Sequence, residues 1–315
     1  MLVLDRQLGW FFGGVIATLI VATVASAALS RRAMSPSARA TMDNVAARIR
    51  SWWVMTAIFV AAVLVGRLGA VVLFAVLSFF AMREFITLTV TRRADHRTVV
   101  SAFFVGITLQ YYLVAIQWYG LFSILIPVYG FVYVPTQSVL SGDTEGFLER
   151  VAEIQWGLMV CVYCLSHAPA LLMLSIPGYE GQNAKLLLYF VLVTQLSDVL
   201  QFVWGKLTGR HAIAPSVSPN KTVEGFVGGV LSATLIGAGL WAMTPFTPWQ
   251  AAGMSLIIAL MGFAGGLAMS AIKRDRGVKD FGTVIAGHGG ILDRLDSMAF
   301  AAPVFFHVTR YYFTP

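Results

Sequence analysis

Apolar residues in this chain run in long blocks separated by short polar stretches, without the alternation of a half-buried strand. A block of about 20 apolar residues is long enough to cross the hydrocarbon core of a bilayer as a helix. The pattern predicts ten such spans, at roughly 8–30, 52–66, 68–84, 99–116, 117–134, 154–177, 185–205, 223–243, 250–271 and 297–312. The second and third are short and meet at Arg67-Leu68-Gly69, which predicts a tight helical hairpin. The fourth and fifth are almost continuous. The expected fold is all-α, a polytopic integral membrane protein of about ten transmembrane helices.

Composition agrees with this pattern. The 315 residues are 58% hydrophobic and 12% charged, with mean hydropathy +0.77, against about 25% charged residues in an ordinary soluble domain. No soluble domain of useful size is left over. The first block is longer than a signal-peptide core, and arginines follow it, so a retained helix is expected despite the Ala25-Ser26-Ala27 sequence.

Lysine and arginine set the orientation, because cytoplasmic loops concentrate them. Ten spans put loops 31–51, 85–98, 135–153, 206–222 and 272–296 on one side, which carries 18 of the 22 cationic residues. That side is expected to be cytoplasmic, with both termini outside, in a bacterial inner membrane. Loop 135–153 is the awkward member, with Asp143, Glu145, Glu149 and Glu153 against a single arginine. The net charge of +7 suits contact with anionic head groups.

Several residues invite chemistry but have plainer readings. Cys161 and Cys164 lie within an apolar span with no second Cys pair or His cluster, and read as small buried hydrophobes. His167 reads as a buried, hydrogen-bonded histidine. Glu84 follows Arg83 at a helix end, where a local ion pair accounts for it. Trp and Tyr cluster at span ends, as interfacial belts do.

Two loops differ from the rest. One carries Gly205-Lys206, Gly209-Arg210-His211 and Ser218-Pro219-Asn220-Lys221-Thr222; the other carries Lys273-Arg274, Lys279-Asp280, Gly287-His288-Gly289-Gly290 and Asp293-Arg294-Leu295-Asp296. Glycines let backbone N–H groups approach an anion, and lysine and arginine neutralise phosphates. Asp293 and Asp296 are three apart and share a face if helical, as a site for a hard cation such as Mg²⁺ would require. The alternative is that they only cap the last span. Asp198 lies inside an apolar span, where a carboxylate is costly and marks a functional position; the alternative is a helix–helix hydrogen bond to Thr194 or Gln201.

Residues 270–296, SAIKRDRGVKDFGTVIAGHGGILDRLD, resemble the signature of the phosphatidate cytidylyltransferases, also called CDP-diacylglycerol synthases. The upstream segment SDVLQFVWGKLTGRHAIAPSVSPNKTVEGFVGG is similar to further segments of that family. The resemblance covers about residues 185–310, which divides the chain into divergent membrane helices at 1–180 and a cytidylyltransferase-like region at 181–315. It implies transfer of a cytidylyl group from CTP to the phosphate of phosphatidate, with CDP-diacylglycerol and pyrophosphate as products. By position it places Asp293 and Asp296 on the divalent metal, expected to be Mg²⁺. Lys273, Arg274, Lys279, Asp280 and His288 would complete the catalytic set. Ser218, Asn220, Lys221, Thr222, Gly289, Gly290, Arg294 and Asp198 would bind substrate. The implied partners are CTP, a phosphorylated lipid and the bilayer, with a second copy of the chain a further candidate and no nucleic acid.

The chain departs from the family at one place. Where relatives commonly have G-D-x-x-E before S-x-x-K-R, with the Asp counted among the metal ligands, this sequence has Gly265-Gly266-Leu267-Ala268-Met269. A carboxylate of the implied metal site is missing, which puts a second cation and the identity of the lipid in question. A non-catalytic relative that binds nucleotide or lipid is therefore a second reading, and a transporter a third. The concentration of charge in two loops favours surface chemistry over transport.

Overall fold

The computed structural model describes residues 6–32, 36–284 and 289–315. Ten helical segments follow one another: α1 (Arg6–Arg32), α2 (Pro36–Val65), α3 (Arg67–Ile86), α4 (Arg93–Ala115), α5 (Tyr119–Val139), α6 (Phe147–Met173), α7 (Asn183–Thr208), α8 (Val223–Gly239), α9 (Pro248–Asp275) and α10 (Leu292–Phe313). The only sheet among the described residues is an antiparallel hairpin between α7 and α8, formed by β1 (Ala212–Ala214) and β2 (Ser218–Thr222). Eight of the helices are long and apolar enough to cross a membrane, and α8 is a shorter apolar helix. The protein is an all-α integral membrane protein. The tenth expected span exists as α10, but its polar first turn, Leu292-Asp293-Arg294-Leu295-Asp296, keeps it outside that class.

Each junction has a local cause. The α2–α3 hairpin turns at Gly66, whose φ of 96° and ψ of −159° lie in a region essentially reserved for glycine. At Gly69, one turn into α3, an added Cβ would collide with the Ala62 carbonyl, so the two helices meet in backbone contact. The nearly continuous fourth and fifth spans are separated at Gln117, a non-glycine residue at φ 62°. There the Trp118 N–H donates to the Leu113 carbonyl and the Gln117 N–H to the Val114 carbonyl, the pairing of a Schellman stop. Thr247 and Gln250 form a reciprocal capping box at the start of α9, with Pro248 in its first turn. The expected loop 31–51 is mostly absent: α2 is helical from Pro36, because Pro at a first helical position and the Ala-rich stretch after it favour helix in a polar environment as well as in lipid.

Ion pairs gather the polar loops at one end of the bundle. Arg92 pairs with Asp143 (3.1 Å) and Glu145 (2.5 Å), and Arg276 pairs with Glu153. Arg150, almost wholly buried, pairs with the fully buried Asp95 at 3.0 Å. The acidic stretch that sat badly in loop 135–153 is therefore neutralised by cations of loop 85–98 and of the end of α9. The Arg274 Nε–H reaches the Val217 carbonyl at 3.3 Å, which brings the β-hairpin to the same end. One hydrophobic core runs from Ala70 to Phe306 and includes Phe74, Tyr111, Leu165, Tyr189, Phe305 and Phe306. His167 lies within it, bonded through Nδ1 to the Tyr163 carbonyl at 2.8 Å and packed on Phe122 and Phe306. Cys161 and Cys164 are free thiols on a π-helical turn of α6, and Cys161 is buried.

Candidate active site

The site is built where α7, α9 and α10 end beside β2. Asp198 projects from α7, and Asp296 and Ser297 from the start of α10. The Ser297 hydroxyl donates to Asp198 Oδ1 at 3.0 Å and lies 3.5 Å from Asp296 Oδ1, so the two carboxylates share one hydroxyl. Asp198 makes neither of the local bonds that a structural role predicts: Gln201 donates to Ser197, and Thr194 bonds the Phe190 carbonyl.

Lys221, from β2, faces the same place. Burial pushes its ammonium below the ordinary lysine range, while Asp296 and Asp198 act in the opposite sense. A Cβ added at Gly266 of α9 would lie 2.6 Å from Lys221 Nζ and 3.7 Å from Ser297 Oγ. Position 266 thus points into the site rather than into lipid, and the Lys221 amine fills the room that a side chain there would take.

Asp293 is engaged elsewhere. Its oxygens accept from Lys273 Nζ (2.8 Å), the Phe281 N–H (2.8 Å) and the Gly290 N–H (2.9 Å). This buried carboxylate holds the glycine-rich loop onto α9 and α10. The carboxylate that shares a hydroxyl with Asp296 is Asp198, one helix away, and the spacing within Asp293–Asp296 gave no sign of that partner. Gly289 has φ 78°, and a side chain there would meet Asp280 and Asp293. His288 lies outside the described residues. Lys279 and Asp280 are exposed. Arg274 bonds the Val217 and Val278 carbonyls, which ties the hairpin to the turn after α9. The Thr222 hydroxyl caps α8 by accepting from the Gly225 N–H at 3.1 Å. Ser218 is half-buried and Asn220 exposed on β2. Arg294 has an Nε that is shielded from solvent and has no hydrogen-bond partner among the described residues.

Glu84 is the residue that sequence reasoning missed. It is 7% exposed and makes no ion pair with Arg83 among the described residues. Its oxygens accept from the Ile291 N–H (2.9 Å) and the Leu292 N–H (2.8 Å), more than 200 residues away. Among the described residues no side chain of its own segment caps α10; a glutamate from α3 does so, satisfying two orphan donors at the positive end of the helix dipole. Gly282 and Gly290 pack against the same carboxylate so closely that a Cβ on either would strike it. The signal was the helical phase: Phe74, Ser78, Ala81 and Phe85 are the buried face of α3, and Glu84 falls on that face.

Two carboxylates and a lysine thus meet at the polar end of the bundle, and a second lysine, Lys273, is held there by Asp293. Among the described residues no three His, Cys, Asp or Glu groups converge. Asp198 and Asp296 still suit Mg²⁺, which commonly takes one or two protein carboxylates and completes its shell with water and substrate phosphate.

Comparison with known proteins gives the family. Residues 46–312 match the cytidylyltransferase family. The chain is 42% identical over 276 residues to the uncharacterized protein YnbB of Escherichia coli (strain K12), covering 85% of this chain and 88% of that protein. It is 40% identical over 130 residues to a phosphatidate cytidylyltransferase of Staphylococcus aureus (strain COL), and 39% over 120 residues to one of Staphylococcus haemolyticus (strain JCSC1435). Those two alignments span 50% and 46% of the relatives, so the match to named phosphatidate cytidylyltransferases covers about half their length. The chain belongs to the cytidylyltransferase family and is a membrane-embedded enzyme of the nucleotidyltransferase type.

Proposed function

We propose that the protein transfers the cytidylyl group of CTP to a phosphorylated membrane lipid of the phosphatidate class. A phosphate oxygen of the lipid bonds to the α-phosphorus of CTP, the bond from that phosphorus to the bridging oxygen breaks, and pyrophosphate leaves with the electron pair. The observation that carries the reading is the pairing of Asp198 and Asp296 on Ser297, facing Lys221, at the polar end of the bundle. Acceptor and donor are both polyanions, so their approach needs positive charge that is fixed in place before they meet. Lys221 supplies one such charge at the carboxylates. Lys273, oriented by Asp293 and lying over the Phe281 ring, supplies another beside the glycine-rich loop.

Asp198 and Asp296 would hold a divalent cation, with Mg²⁺ the natural choice, and when bound it neutralises phosphate charge at the reacting centre. The rest of its shell falls to water and substrate oxygens, because Gly266 offers none. The polar end is the cytoplasmic side of a bacterial inner membrane on this reading, consistent with 18 of 22 cationic residues being assigned there.

The test is a turnover assay on the purified protein with labelled CTP and a panel of lipid phosphates, with and without excess chelator. Pyrophosphate release and a CDP-lipid that both require lipid phosphate and divalent cation are expected. CTP binding without turnover on any acceptor would favour a non-catalytic nucleotide-binding relative, the reading that Gly266 keeps open. Full turnover in chelator would refute the cation's part.

A further inference from the structure

One cavity, about 670 Å³ and lined by residues that include Gly66, Arg67 and Glu180, lies at the α2–α3 turn. That turn is the far end of α3 from Glu84 and the chemistry. A second cavity of about 540 Å³ lies between α2, α3, α7 and the start of α10, and it adjoins the site. Its volume is in the range of ordinary ligand pockets. Resting on the function proposed above, we infer that this cavity receives the lipid acceptor, with its phosphate monoester between Arg50 and Arg294 and an acyl chain laid along α2 and α3.

Three observations carry the inference. The first is the division of α10 into two faces. Ile291, Arg294, Leu295 and Met298 line the cavity at i, i+3, i+4 and i+7 spacing, which is one stripe of a helix. Asp296 and Ser297 lie off that stripe, toward Asp198. Arg294 and Asp296 therefore lie in the same turn of α10 but on different faces, the cavity on one side of the helix and the carboxylate pair on the other.

The second is charge. Arg50 and Arg294 line the cavity, and among the described residues no carboxylate does. The Arg294 Nε is removed from solvent and has no partner among the described residues. An N–H without an acceptor is costly, and a half-buried guanidinium at a cavity wall favours an anionic oxygen at its exposed N–H groups.

The third is polarity along the cavity. From Arg50 to Phe59 the lining of α2 turns from basic to apolar over nine residues, about 13 Å at 1.5 Å per residue. Leu73, Phe74 and Leu77 face it from α3. A cationic mouth leading into an apolar channel matches an amphiphile with an anionic head. A free sugar phosphate has nothing to place in the apolar part.

The experiment uses the full-length protein in detergent, with binding of radiolabelled dioleoyl phosphatidate measured against dioleoyl phosphatidylcholine and glycerol 3-phosphate. Wild type is expected to bind phosphatidate at least tenfold more tightly than phosphatidylcholine, with no competition from glycerol 3-phosphate. Leu77→Trp fills the apolar channel and is expected to weaken phosphatidate binding at least tenfold while leaving CTP binding within twofold. Arg50→Ala is expected to reduce the preference over phosphatidylcholine. As a second measurement that needs no variant, a phosphatidate with a photoreactive acyl terminus is expected to label residues 52–59 and 73–77. Equal binding of the two phospholipids, unchanged binding in a folded Leu77→Trp protein, or labelling confined to other helices would overturn the inference. Phosphatidate binding here without cytidylyl transfer would overturn the proposed function and leave the cavity assignment standing.

Discussion

Glu84→Ala is the most revealing substitution, because Glu84 lies on α3, outside the segment that carries the motifs, yet its carboxylate accepts from the first residues of α10. The alanine removes the acceptor for two backbone N–H groups of α10. A hydrogen bond to a charged group contributes about 1.5–3 kcal/mol. Two such bonds, partly replaced by water that enters the vacated space, give an expected loss of about 3–4 kcal/mol local to this junction. At about 1.4 kcal/mol per factor of ten, the assembled arrangement of Gly290, Asp293 and Asp296 falls in population by about two to three orders of magnitude relative to its open forms. Cytidylyl transfer is expected to fall by up to that factor. Glu84→Gln keeps one carbonyl acceptor but turns an amide N–H₂ toward the second donor, so about half the loss is expected. The order of activity should be wild type, then Gln, then Ala. Hydrogen exchange reads the same event without turnover: the Ile291 and Leu292 amides should exchange faster in the variants, in the same order. Wild-type activity in Glu84→Ala, or unchanged exchange at those two amides, would refute the reasoning.

Asp198→Asn and Asp296→Asn are each expected to lower turnover by at least a hundredfold with little change in melting temperature, since each carboxylate has few protein donors to lose. Asp293→Ala should behave differently, losing both activity and about 3–5 kcal/mol of stability, because it strands Lys273 and two backbone donors; parallel turnover and thermal melts separate the two patterns. Gly266→Asp places a third carboxylate against Lys221 and Ser297 and is expected to lower the divalent-cation midpoint at least tenfold in a calorimetric titration; an unchanged midpoint would mean that the lost carboxylate has no bearing on the metal. Arg150→Met leaves Asp95 buried without its partner and should cost about 3–5 kcal/mol in thermal stability, with an unshifted melting temperature counting against a structural role for the pair.

The architecture was legible in the sequence because lipid imposes a single rule: every spanning segment must satisfy its own backbone and so becomes an apolar helix of set length. Hydrophobic blocks therefore located all ten helical segments. The rule is silent outside the hydrocarbon, and the misjudged elements lie there. The polar start of α2 reads as loop by hydropathy, yet it is helical from Pro36. The β1–β2 hairpin was invisible, its second strand containing Pro219, which β-propensity disfavours, and Ser218, Asn220 and Lys221. At the site, local spacing suggested Asp293 with Asp296, yet the shared hydroxyl joins Asp296 to Asp198 across 98 positions of sequence. Spacing reports which residues share a helical face; it carries no information on which face of another helix they meet.

The same limit explains Glu84 and bears on how the two halves of the chain depend on each other. The recognisable motifs lie within residues 181–315, which invites reading residues 1–180 as a membrane anchor, although the family match begins at residue 46. The contacts do not support that division of labour. Glu84 caps α10, Glu153 pairs with Arg276 at the end of α9, and the core that includes Phe74 and Phe85 also includes Phe281 and Leu292. A glycine-rich loop cannot hold its own shape: Gly282, Gly289 and Gly290 contribute no side chains, and the conformational freedom that lets them approach an anion must be removed by something else. Here that constraint comes from one carboxylate of the loop's own helix, Asp293, and one from α3, Glu84. On the proposed function, the region with the recognisable motif carries the residues assigned to the chemistry. The region without one fixes the geometry in which the chemistry operates, so substitutions that appear to touch only a membrane helix should register in turnover.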